Sequence, residues 1–386
     1  MSLFDITRLQ PRAWSVLARS FTAGRTASTY LFHGREGMGG WSLALSLAAL
    51  VNCARPATDA DDPVLVYPCG ECPGCRAVAS VNHESLRIVV PIKTHRNLNE
   101  AIDLTNEVID YRRKHPLRLL DQAQPVTLPI DMAREVKRSL SIKGAPGVTR
   151  VALFYHMDLM RMQSADALLK LIEEPPPNTV IIMTASRPEM LLPTIRSRSQ
   201  KVRLHRVAEP LLINYLIERH GVSEAQAKLA ARISEGVPGL ALAQLNTDDE
   251  EANGRGVGLM LFRSLIDDSG PETVSQITEL LNMNDRQAVA DLLRLWQSLL
   301  RDCACYAASG EEADLVNVDF QTEIKRLSVP FGSSALVQSA VELIKNTLAD
   351  MLRNVHIQPA LVALVLKLKA DIAAARGLAT QEVQGG

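Results

Sequence analysis

Short apolar runs rich in β-branched residues recur through the first half of the chain, separated by stretches with helical spacing. Residues 28–33 (STYLFH), 86–91 (LRIVVP), 150–155 (RVALFY), 179–183 (TVIIM) and 200–204 (QKVRL) each read as a buried strand. The segment WSLALSLAALV after the first of them contains no breaker and reads as a helix. Strands alternating with helices predict right-handed crossovers and a parallel sheet covered on both faces. After about residue 205 the strand signals stop and helices follow. Their breakers are Gly236-Val237-Pro238-Gly239, the polar run 246–256, Ser269-Gly270-Pro271 and Pro330-Phe331-Gly332. In residues 333–352, Leu336, Val337, Ala340, Val341, Ile344, Leu348 and Met351 fall near one helical face. The predicted organisation is an α/β domain over 1–205, a small helical lid domain over 206–250, a C-terminal helical bundle over 251–376 and a frayed tail over 377–386. Residues 93–130 are longer than the crossover between their strands needs, and the pattern leaves them unassigned: a flexible insertion or an extra contact surface.

Composition narrows the class. At 47% apolar and 22% charged residues the chain is that of a folded protein, and a net charge of -1 argues against nucleic-acid binding by bulk charge. The opening MSLFDITRLQPRAWSV lacks the apolar core of a secretory signal, and the apolar run from Leu43 to Val51 is far short of a membrane span. The expected location is cytoplasmic, without a membrane partner. In a reducing compartment cysteines suggest metal or free thiol before disulfide.

Cys53, Cys69, Cys72 and Cys75 carry the first chemistry. The run CGECPGC places three thiols within a short turn-rich stretch. Four thiolates satisfy zinc tetrahedrally and leave no position open for substrate, so a structural zinc module at about 53–75 is expected. Free thiols or a disulfide are the alternatives. His83 is surplus to the set, and Cys303 and Cys305 read as packing thiols. A zinc-dependent nucleic-acid module is disfavoured by Asp59, Asp61, Asp62 and Glu71 around the knob.

The glycine run GREGMGGWS, residues 34–42, carries the second. Gly34 and Gly39 have the separation of a phosphate-binding G-x-x-x-x-G-K-[ST] loop, with Gly37 between them, after a strand and before a helix. Gly40 stands where the lysine belongs and Trp41 where the hydroxyl belongs. Ser42 is one residue late and points about 100° away on a helix. The acidic pair expected after the third strand falls on Tyr155 and His156. Asp158, just beyond, reads as a helix cap or surface carboxylate, and His156 is not expected to act as a base. The loop alone leaves open whether it ever bound phosphate; with the acidic pair also missing, hydrolysis at this site is not expected. The rival is a chain that binds ATP through a degenerate loop, with Ser42 and Asp158 serving Mg²⁺.

Over about residues 10–204, the segments LFHGREGMGG, SADALLKLIEEPPPNTVIIMTAS and LLPTIRSRSQ, with the four-cysteine insertion, carry a resemblance. The chain resembles the bacterial clamp-loader subunits of the AAA+ class, most closely the DNA polymerase III delta-prime type. The resemblance implies a P-loop (AAA+-like) parallel-sheet domain with an inserted zinc module, then a lid and a helical oligomerisation bundle. It implies a subunit without ATPase activity or bound ATP within the DNA polymerase III holoenzyme. Its partners would be gamma/tau and delta in a hetero-oligomeric ring, with the sliding clamp and primer-template DNA reached through the complex. The alternative within the family is an ATP-binding clamp-loader ATPase with a degenerate loop. The family's serine-arginine-cysteine motif appears here as Ser197-Arg198-Ser199. Arg198 would then be an arginine finger on the neighbour's ATP, its guanidinium able to fork onto phosphate oxygens. The plain alternative is that Arg196 and Arg198 pair with surface acids at a helix end. Thr184 stands at the family's γ-phosphate sensor position and reads as a strand-end hydroxyl. Glu173 and Glu174 read as helix-end charges, and Pro238, Gly239 and Leu240 occupy the stretch where active relatives carry a sensor arginine.

Overall fold

The computed structural model describes residues 3–119, 126–142, 145–160, 162–245, 249–266, 286–352 and 357–384. The predicted breaker Ser269-Gly270-Pro271 lies outside them. The chain divides into two compact units, residues 1–245 and 246–386. Among the described residues no helix is long and apolar enough to cross a membrane.

The first unit is built on a five-stranded parallel sheet. β1 (Thr29–His33), β4 (Leu86–Val89), β5 (Arg150–Phe154), β6 (Thr179–Ala185) and β7 (Gln200–Arg203) lie in the order β4-β5-β6-β1-β7. All five sequence-predicted strands form, within two residues of their expected ends. β6 is buried along its whole length and β1 nearly so, which is why they read as unbroken apolar runs. A small antiparallel pair, β2 (Ala57–Thr58) and β3 (Val66–Tyr67), belongs to the cysteine knob. Helices α1 (Ile6–Leu9), α2 (Pro11–Thr22) and α3 (Gly40–Val51) precede the knob, and α4 (Pro73–Ala79) closes it. α3 is apolar nearly all round, and accordingly Trp41 through Leu50 are all buried. One face of the sheet packs on α3 and the N-terminal helices. The other is covered by α6 (Ile130–Ser141), α7 (Met162–Glu173) and α8 (Pro193–Arg198).

The unassigned stretch 93–130 is in part a helix, α5 (Leu98–Lys114), capped by Asn97 through its contact with the Glu100 amide at 2.9 Å. Beyond the sheet follow α9 (Glu209–His220), α10 (Glu224–Ile233) and α11 (Pro238–Leu245). Leu212, Leu216, Ala227, Ala230 and Val237 share the apolar core of α3 and β1.

The second unit is helical. α12 (Asp249–Ile266) runs through most of the polar segment predicted as a break: only residues 246–248 fall outside description. α13 (Arg286–Ser309), α14 (Gln321–Leu327), α15 (Ser334–Leu352) and α16 (Ile357–Gln384) follow. Leu336, Ala340, Ile344 and Met351 of α15 are buried against Leu361, Leu364, Val365 and Leu368 of α16, as the one-face spacing predicts. Residues 377–384, expected to fray, continue α16, since nothing between Gln358 and Gln384 except Pro359 and Gly377 opposes a helix. Asp302, wholly buried on α13, accepts from the amides of Val316 and Asn317 and from the Asn317 side chain, which explains a buried charge in an apolar bundle.

Candidate functional site

Parallel pairing brings the C-terminal ends of β1, β5, β6 and β7 to one edge, where open α/β sheets place their ligand crevice. The glycine loop leaves β1 there, and Gly34 donates to Ala185 O at 3.2 Å. Gly39 ends the loop at φ 92°, a left-handed conformation that glycine adopts without strain, directly before α3. Strand, loop and helix thus have the form that cradles phosphate.

The side chains do not fit a magnesium nucleotide. Gly40 offers no cation. Trp41 is buried and meets Tyr155 edge-on, ring centroids 5.3 Å apart. The two positions expected to serve Mg²⁺ are therefore filled by an aromatic pair in van der Waals reach of each other. Tyr155 is also held from behind: Arg112 of α5 donates to its hydroxyl at 2.6 Å and lies over its ring at 4.8 Å. Burial pushes the Tyr155 phenol up to about 12, with the Arg112 cation acting against that rise. Ser42 faces away from the crevice, as its position predicts, and donates to Pro116 O at 3.0 Å.

Asp158 corrects the expectation of a helix cap or surface carboxylate. Its side chain is 2% exposed. It accepts from the amides of Ser186 at 3.3 Å and Arg187 at 3.1 Å, and so ties the end of β5 to the end of β6. Burial favours its neutral form, but hydrogen bonding and attraction from His156 and the Arg187 amide outweigh burial and hold the carboxyl below its ordinary value. His156 occupies a left-handed conformation (φ 56°) and is likewise buried. Its amide donates to Thr184 Oγ1 at 2.8 Å, giving Thr184 the strand-end role expected of it. His156 Nε2 lies 3.8 Å from Glu36 Oε1, and both atoms are buried without a hydrogen-bond partner. Between these groups and the loop a small pocket opens to solvent, lined by Glu36, Gly40, Tyr155, His156 and Thr184 among others.

The loop is also covered. Gly239, in the stretch where a sensor arginine was sought, donates to Gly37 O at 2.9 Å. A Cβ on Gly239 would stand 2.6 Å from Leu117 O and 2.8 Å from Gly37 Cα, so only glycine allows this approach. Arg112 and Leu117 were not singled out from sequence. A signal did exist for Arg112: Ala101, Thr105 and Arg112 are the buried residues of α5 and fall at helical spacing. The charged neighbours Arg113 and Lys114 hide that spacing.

Arg198 ends α8. Its side chain is 47% exposed and, among the described residues, meets one acid, Glu173 Oε1, at 3.4 Å from Nε. Ser199 is buried beneath it and donates to Ile195 O at 2.7 Å. Arg196 differs: its Nε is buried without a partner. Glu173 is thus an ion-pair acid.

The four cysteines meet as expected. Their sulfurs all lie within 4.8 Å of one another, and Cys69 Sγ is 3.9 Å from Cys75 Sγ. A tetrahedral zinc with Zn–S bonds of about 2.3 Å sets sulfurs about 3.8 Å apart, so the set fits. None of the four is in a disulfide. Successive amides point at successive sulfurs: Cys69 N to Cys53 Sγ at 3.4 Å, Cys72 N to Cys69 Sγ at 3.3 Å and Cys75 N to Cys72 Sγ at 3.4 Å. Burial opposes ionisation of Cys72, yet the Cys75 and Ala54 amides and neighbouring thiols lower it to about 6, while burial raises Cys75. The knob is held to the domain by Trp14, which stacks on Tyr67 at 6.0 Å and donates to Val66 O at 3.0 Å.

Sheet order, a glycine loop between β1 and α3, and an inserted four-cysteine knob together define an AAA+-like P-loop domain whose loop lacks the charged groups of an ATPase. The chain belongs to the DNA polymerase III delta-subunit family: the family profile matches residues 9–208, and the profile of that family's C-terminal region matches residues 260–363. Within it the chain is of the delta-prime type. It is 26% identical over 263 residues to DNA polymerase III subunit delta' of Bacillus subtilis, covering 68% of this chain and 66% of that one. It is 28% identical over 239 residues to the delta' subunit of Escherichia coli K12, covering 61% and 60%. The chain thus spans about two thirds or less of the length of these relatives. Among solved structures, a gamma subunit-related protein of DNA polymerase III from Thermotoga maritima aligns over 93% of this chain and 99% of its own, with 16% identity and a TM-score of 0.46.

Proposed function

We propose that this chain is a non-hydrolysing subunit of the DNA polymerase III clamp loader. In this role it supports ATP-dependent loading of the sliding clamp onto primed DNA, in a cytoplasmic ring with gamma/tau and delta subunits. It supplies Arg198 to the ATP of a neighbouring subunit. One observation carries the reading: a covered glycine loop without the lysine of an ATPase coexists with an exposed arginine that, among the described residues, meets one acid. An exposed ion pair contributes about 0–1 kcal/mol, so Arg198 leaves Glu173 for a triphosphate at little cost. A guanidinium in trans then stabilises charge developing in phosphoryl transfer, and hydrolysis becomes conditional on assembly. The cysteine knob holds a structural zinc with no open coordination position.

The test is assembly with gamma/tau and delta subunits, combined with equilibrium titration of the isolated chain by Mg-ATP. Incorporation into the complex, with no saturable ATP binding by the chain alone, is expected. Saturable micromolar binding with turnover by the isolated chain contradicts the reading.

A further inference from the structure

The stretch after α5 packs where the glycine loop opens. Leu117 is buried. A Cβ built on Gly39 stands 3.2 Å from Leu117 Cδ2, and one built on Gly37 stands 3.1 Å from Leu119 Cδ2. The carbonyl of Leu117 lies against Gly239, and that of Pro116 accepts from Ser42 at 3.0 Å. Two residues of α5 secure the far side of the turn. Tyr111 donates its hydroxyl to Leu119 O at 3.2 Å, and the buried Arg112 donates to Arg118 O as well as to Tyr155. One short segment therefore touches the loop, the first turn of α3 and the first turn of α11. Nucleotide phosphates held by such a loop approach the backbone amides of its glycines.

We propose that residues 116–119 are an internal ligand of this chain's own nucleotide crevice, clamping the loop shut against Gly239. This rests on reading the loop as a nucleotide cradle, and goes further: missing charge does not by itself explain the emptiness of the cradle. The glycines of the loop are themselves covered by the chain. Leu117 contributes the burial of an apolar side chain. Arg112 contributes a fixed cation behind Tyr155 that keeps the turn in register. The inserted helix thereby has a function, namely to carry the plug and to fuse lid and sheet into one closed body.

Two readouts on the full chain test this. Gly40→Lys returns a cation to the cradle at a position where an added Cβ makes only ordinary contacts, the nearest being Leu204 Cδ1 at 3.4 Å. This variant is expected to show no saturable Mg-ATP binding. Hydrogen exchange of Leu117→Ser/Leu119→Ser is expected to be at least tenfold faster in residues 37–41 and 237–241, with β1 and β5 amides unchanged. Should that double variant lose protection throughout, the same comparison is made on Leu119→Ala. Saturable ATP binding by Gly40→Lys alone overturns the plug while leaving intact the claim that the native chain binds none. Wild-type exchange rates around Gly37 and Gly239 in the leucine variants also overturn it.

Discussion

Asp158 shows how a single carboxylate can hold a site together without acting in it. Two amides after β6 converge on it, and His156 Nδ1 stands 3.8 Å from Oδ1. Its carboxyl is depressed in the folded chain, so the ionised form binds its surroundings more strongly than water does. A depressed acid contributes stability that is fully present above its ordinary value of 3.8 and is lost as pH falls through the lower folded value. Asp158→Asn is expected to destabilise the first unit by about 1–3 kcal/mol at neutral pH. The difference from wild type should shrink below about pH 4. Urea unfolding at a series of pH values measures this, and a difference independent of pH would contradict it. Sequence placed Asp158 correctly beyond the strand but could not bury it. Its partners are about 28 residues away and reach it only through pairing of β5 with β6.

At the scale of elements the sequence was most legible where one segment decides its own fate. β5 and β6, paired on both sides, read as apolar runs, whereas the edge strand β7 keeps only Val202 buried and was legible chiefly by its place after the fourth strand. The knob was legible for a similar reason: four cysteines with glycine and proline between them converge with little help from the remainder of the chain. The account predicts one zinc per chain by metal analysis. Chelation, or Cys75→Ser, should remove it. A loss of about 3 kcal/mol would lower the melting temperature by roughly 6–12 °C for a unit of this size. Full-length protein that melts unchanged after verified metal removal would show that the knob needs no ion. Less legible was α5. Its role depends on what lies under its C-terminal end, and Arg112 looks like its charged neighbours until Tyr155 is placed beneath it. The segment 116–119 has no signature at all, since two leucines beside a proline fit any loop.

For the whole molecule, opposite edges of one sheet present two opposite states of the phosphate chemistry: the glycine loop follows the C-terminal end of β1, and Arg198 precedes the start of β7. The chain's own loop lacks the phosphate-binding lysine and is covered, whereas Arg198 at the end of α8 is exposed and weakly engaged. A closed first unit suits a part that transmits the geometry of a ring rather than cycling with nucleotide. The helical second unit, whose described core includes residues from Leu261 to Ile372, is the part proposed to join such a ring. The glycine loop and the Ser197-Arg198-Ser199 motif were both visible in the sequence; the ion pair that parks Arg198 on Glu173 was not, because α7 and α8 meet only in the folded unit.

The most direct measurement is single-turnover ATP hydrolysis by the reconstituted complex carrying Arg198→Ala, with Arg198→Lys alongside. The account predicts intact assembly and hydrolysis at the facing site slowed by about three orders of magnitude, with lysine restoring little of it. Hydrolysis at the wild-type rate in an intact complex with Arg198→Ala would contradict it.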